Sequence, residues 1–177
     1  GGAGVTLVNR SKYGFSVEDT TLTMTLLRAS VDPDPLPDLG KHVIEYGLIP
    51  HDEAWRPGDA TRAGAAFSVP PVVMSGGFHD GDLPVSHAFV TVEPVDVQFG
   101  ALKCGEEGGI VLRLHNTADE PVEARIALSE FMTSPEQKVV EVDTLERPLS
   151  EGRARWDGDA IVVPLRSLGV TSIRITG

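Results

Sequence analysis

Asn9-Arg10-Ser11-Lys12-Tyr13-Gly14-Phe15 sets a cation beside an amphipathic aromatic in a short polar run. An aromatic face ringed by polar donors suits a sugar, whose C–H face stacks while its hydroxyls take hydrogen bonds. The same residues admit a structural role. Asn9 and Gly14 would shape a turn between a strand ending at Val8 and another beginning near Thr21, with Tyr13 half buried as a plug. Both readings stand at this level. Asn9-Arg10-Ser11 also fits the N-glycosylation pattern, with no secretion signal to support it.

Other groups that could do chemistry are dispersed. His42, His51, His79, His87 and His115 stand at no zinc-like spacing from one another or from Cys104. His79-Asp80-Gly81-Asp82 and Asp157-Gly158-Asp159 begin like calcium loops but lack the closing glutamate, and acidic turns are the better reading. The acids of Asp32-Pro33-Asp34-Pro35-Leu36-Pro37-Asp38 are separated by prolines that forbid a glycine-centred cation loop, so this is a rigid connection. Glu106-Glu107 reads as a wet turn between strands. There is no nucleophile elbow, phosphate loop or H-E-x-x-H helix, and no catalytic set emerges.

The elements that must position these residues are strands. Apolar side chains recur at period two: Leu22, Met24 and Leu26 share one face while Thr21, Thr23 and Thr25 share the other. Similar segments follow at "HVIEYGLI", "AFVTVEP", "VDVQFGALK", "GIVLRLHN", "VEARIAL", "KVVEVD", "AIVVPL" and "TSIRIT", separated by Gly, Pro, Asn and Asp. One short helix is expected at residues 57–67, with Asp59 as its N-cap. The fold class is therefore mainly β, an antiparallel sandwich. Residues 97–177 carry turn signals often enough to close one, whereas the part before residue 90 has too few strands and is expected to find sheet partners upstream. A boundary falls between residues 74 and 96.

The chain has 177 residues, 15 basic and 26 acidic side chains and a net charge of −11. That balance repels phosphate backbones, so nucleic acid is not an expected partner. No run of about twenty apolar residues suggests a membrane span. A single cysteine excludes an internal disulfide framework, and a cytoplasmic setting is the simpler expectation. The start, Gly-Gly-Ala-Gly without a methionine, suits a processed chain or a piece of a longer one.

Taken in order, these motifs resemble the C-terminal region of class II α-mannosidases, glycoside hydrolase family 38, of bacterial or cytosolic type. The resemblance rests on Gly4 to Asn9, Ser11 to Gly14, Leu26 to Arg28, Asp32 to Asp38 and His42 to His51, then on "ALKCGEEGGIVLRLHNTADEPVEARIAL" and "VDTLERPL". Arg10 departs from the resemblance, since many members of the family carry an acidic residue at that position. The resemblance implies that residues 1–92 are the tail of the large, galactose-mutarotase-like mannosidase sandwich and that 93–177 form the small terminal sandwich. It implies that the catalytic zinc or other divalent metal, the nucleophile and the acid/base carboxylate belong to an upstream barrel, leaving no catalytic or metal-binding residue in this chain. The parent would be a retaining α-mannosidase with a covalent intermediate, acting on α-mannoside glycans. This chain would pack against the barrel and helical domains, with Lys12 and Tyr13, then Arg28 and Asp38, as candidates for the rim of the sugar site. Two other readings are an independent carbohydrate-binding module and a structural sandwich making homo-oligomer contacts.

Overall fold

Alternating side chains impose strands wherever one face can be buried, and the computed structural model, which describes residues 2–52, 55–78, 80–82, 84–134 and 136–177, is built from twelve of them. All pairings among them are antiparallel. Contacts divide the chain into two units: Gly1–Trp55 with Ala63–Val72, and Arg56–Arg62 with Val73–Gly177.

In the first unit, β1 (Ala3–Asn9) and β4 (Tyr46–Asp52) pair as a two-stranded sheet, and β2 (Phe15–Glu18) and β3 (Thr21–Met24) form a hairpin. The alternation that the sequence carries through Leu26 ends as a strand at Met24. The expected segment at residues 42–49 forms later, at Tyr46–Asp52, because its partner β1 sets the register. Two-stranded sheets bury little, and among the described residues of this unit the buried apolar core is confined to Val8.

Helix α1 runs from Pro57 to Ser68. Proline opens it because its missing N–H would have had no intrahelical partner. Asp59 lies inside the first turn, not at the N-cap as the sequence suggests, and its carboxylate accepts the Arg56 N–H at 3.0 Å. This is the backward half of a capping box.

The second unit is a sandwich of two four-stranded sheets. One has the order β10-β11-β8-β5, from Arg155–Asp157, Ala160–Leu165, Val122–Leu128 and Val90–Glu93; the other has β6-β7-β12-β9, from Val97–Cys104, Ile110–Asn116, Val170–Thr176 and Lys138–Val142. Leu112, Leu114 and Ile173 from one sheet meet Ile126, Ile161 and Val163 from the other in a closed core. Asn116, fully buried, keeps the adjoining loops in place. Its amide donates to the carbonyls of Glu120 and Arg166, and its oxygen accepts the Ala118 N–H. With each polar atom bonded, burial costs the fold little. No helix among the described residues is long and apolar enough to cross a membrane.

Candidate functional site

The loop from β1 to β2 is shaped by its own side chains. Asn9 Oδ1 accepts the Lys12 N–H at 2.6 Å, and Ser11 takes a left-handed backbone, φ 65°. This is the local bonding that makes asparagine a turn residue. Gly14 lies across from Thr25: its carbonyl accepts the Thr25 N–H at 2.8 Å, and a Cβ there would come within 3.0 Å of the threonine Cβ. Arg10 serves the scaffold. Its Nε donates to the Phe67 carbonyl at 3.0 Å in the last turn of α1, Nη1 pairs with Glu45 at 2.8 Å, and the guanidinium lies over the Phe67 ring. A cation suits this helix end, where carbonyls have no intrahelical donors.

The opposite wall comes from the segment after β3. Ala29 is left-handed, φ 49°, and its N–H donates to the Asp38 carboxylate. The Asp38 carbonyl meets His42 Nε2 at 2.8 Å, and Asp34 accepts the Leu36 N–H at 2.9 Å, so the proline-rich loop is tied down.

These two walls enclose a cavity of about 460 Å³ lined by Lys12, Tyr13, Arg28 and Asp38 with Thr25 and Ser30. All four candidates from the sequence meet there. Tyr13 is 94% exposed, so it plugs nothing, and the turn is held by Asn9 instead. The side chains of Lys12, Tyr13 and Arg28 take no hydrogen-bonding or ionic partner among the described residues. Sequence reasoning missed Thr25 and Ser30 as lining residues. The period-two row Thr21, Thr23, Thr25 was the available signal for the first; nothing marked the second.

Elsewhere, among the described residues, no three of the His, Cys, Asp and Glu side chains are grouped as a metal ion would need; His79 lies outside the described residues. His51 stacks on Trp55 with centroids 4.9 Å apart, and His87 meets the rings of Phe89 and Phe131 edge-on. Asp157 and Asp159 both pair with Arg125, at 3.1 and 3.3 Å. Glu106 donates its backbone N–H to Glu146, and Glu107 pairs with Arg174 at 2.9 Å.

Comparison with known families places this arrangement. The model of the glycosyl hydrolases family 38 C-terminal domain matches residues 1–36, and that of the family 38 C-terminal beta sandwich domain matches residues 96–172. The chain belongs to glycoside hydrolase family 38, as a C-terminal region. Curated relatives agree with the family 38 assignment. Alpha-mannosidase 2C1 of Homo sapiens is 30% identical over 152 residues, 83% of this chain and 14% of that protein. Alpha-mannosidase G of Dictyostelium discoideum is 21% identical over 169 residues, 90% of this chain and 15% of the relative. The alpha-mannosidase of Saccharomyces cerevisiae is 42% identical over 48 residues, 27% of this chain and 4% of that protein. The family 38 chain thus spans about one seventh of the length of the first of these relatives. Lys12, Tyr13 and Arg28 fall inside the first matched segment, while Asp38 lies just beyond it.

Proposed function

We propose that this chain is the non-catalytic C-terminal portion of an α-mannosidase, packing against the barrel and helical domains of the same polypeptide and lending its cavity to the rim of the α-mannoside site. The observation that carries the reading is the convergence of Lys12, Tyr13, Arg28 and Asp38 on one cavity, the side chains of the first three without a hydrogen-bonding or ionic partner among the described residues. Donors and an accessible aromatic face together suit a hydroxylated ring, and the volume lies within the usual range for small-molecule sites.

The zinc or other divalent metal expected of the parent finds no ligand set among the described residues of this chain. On the family resemblance, bond cleavage is assigned to the catalytic part of the polypeptide, and no step of it is routed through these residues. A cytoplasmic setting belongs to the same reading; Cys104 is free and exposed.

In the complete enzyme, Tyr13→Ala or Arg28→Ala is expected to raise KM for an aryl α-mannoside about tenfold while kcat stays within about twofold, a loss of roughly 1.4 kcal/mol in binding. An unchanged KM in both variants removes the rim role. The 177-residue chain alone is expected to leave the aryl mannoside intact with zinc or cobalt supplied, and turnover would overturn the non-catalytic reading.

The exposure of Tyr13 favours a second reading, an independent carbohydrate-binding module. That reading requires heat of mannoside binding by the isolated chain, lost in Tyr13→Ala; a flat calorimetric titration of the unmodified chain disposes of it.

A further inference from the structure

We infer that Asp38 is a positioning residue for Arg28 and not itself a sugar contact, an inference that rests on the carbohydrate reading of the cavity. The Arg28 guanidinium has no partner among the described residues, so the backbone alone presents it to the cavity. That backbone turns at once, because Ala29 occupies the left-handed region at φ 49°, which a residue with a Cβ adopts only when its surroundings require it. What holds it is a charge-assisted hydrogen bond from the Ala29 N–H to the Asp38 carboxylate. Asp38 is itself tethered through its carbonyl to His42 Nε2, at 2.8 Å. The proline-rich loop therefore acts as a latch closing on the residue that follows Arg28. Asn9 does the same for Lys12 on the facing wall by accepting its N–H.

A latch needs an acceptor oxygen at position 38, whereas a sugar-contacting acid needs a carboxylate, so asparagine separates the two roles. The test follows the Arg28 Nε–H resonance of the 177-residue chain, identified by its absence in Arg28→Lys, as methyl α-mannoside is added, together with exchange of the Ala29 amide. Asp38→Ala is expected to abolish the sugar-induced shift and to speed Ala29 exchange about tenfold or more, and Asp38→Asn to restore both to near the unmodified chain. The inference is overturned if the asparagine variant behaves like the alanine variant, or if the alanine variant keeps both the shift and the protected amide. Should the unmodified chain show no response to the mannoside, the independent-module reading fails on its own, while the rim reading is decided by KM in the complete enzyme. The latch is then judged without sugar: fast Ala29 exchange in Asp38→Ala, restored to near the unmodified rate in Asp38→Asn, supports it, and exchange unchanged in Asp38→Ala overturns it.

Discussion

Glu146 takes a left-handed backbone at φ 64°, and its almost fully buried carboxylate is what the turn is built around. Lys103 Nζ lies 2.6 Å away and the Glu106 N–H donates at 2.8 Å. The hydrogen bond from Lys103, followed by that from Glu106, lowers the pKa of Glu146, and the same contact raises that of Lys103. Asp143, in the same turn, is lowered by the backbone N–H and then the guanidinium of Arg147. Groups with lowered folded pKa values stabilise the fold above their unfolded values and lose that contribution as pH falls through the folded ones. The raised lysine contributes fully below its unfolded value and loses its contribution as pH rises through the folded one. Unfolding midpoints of the chain should therefore decline below about pH 4.5 and again above about pH 10.4. Glu146→Gln should weaken both limbs, and an unaltered pH profile would show that the pair contributes nothing. Arg10 offers a second check. Its partners Glu45 and Phe67 are 35 and 57 positions away, which is why the sequence shows only a departure from the family pattern there. Arg10→Ala should cost about 1 kcal/mol in urea unfolding by losing a helix-end hydrogen bond and a partly exposed ion pair. Asn9 and Gly14, by contrast, were readable as turn residues because their contacts are close in sequence or lie across one hairpin.

Strands long enough to show alternation were legible. Val122–Leu128 forms where its alternation places it, since burying one face selects the extended backbone, and Ala160–Leu165, a continuous apolar run, forms a strand buried on both faces. Arg155–Asp157 was not legible because three residues carry no period. It exists as the partner of β11 across a two-residue turn whose Gly158 has φ 65°, a conformation that glycine adopts without strain. Gly109 is more constrained: φ is 74°, and a Cβ would stand 2.4 Å from the Ile175 carbonyl oxygen. Gly109→Ala should destabilise the sandwich by roughly 2 kcal/mol or more, measured by thermal unfolding, because neither the backbone nor the facing strand can yield cheaply. Leu114→Ala in the closed core should cost about 2–5 kcal/mol through lost burial and the cavity left behind.

On the scale of the whole chain, the two units differ in how much apolar surface they cover. The terminal sandwich encloses its core, but the N-terminal unit leaves Val17 70% and Leu48 61% exposed along an apolar groove shared with Val5, Leu22 and Tyr46. An open groove of this kind suits a fold completed by other parts of a longer polypeptide. The 177-residue chain should bind a hydrophobic dye such as ANS, Leu48→Glu should reduce that signal, and the complete polypeptide should not show it. Sedimentation of the isolated chain will reveal whether a second copy covers the groove instead. The sequence by itself determined the strand-rich class, the short helix and the ordered motifs of family 38, because alternation, turn residues and helix starts act over a few neighbouring positions. Only the tertiary structure decided that Lys12, Tyr13, Arg28 and Asp38 share a cavity, that Arg10 belongs to the scaffold and that Tyr13 is open to solvent. Those facts depend on strand register and on hydrogen bonds between segments distant in the chain, which no local pattern encodes.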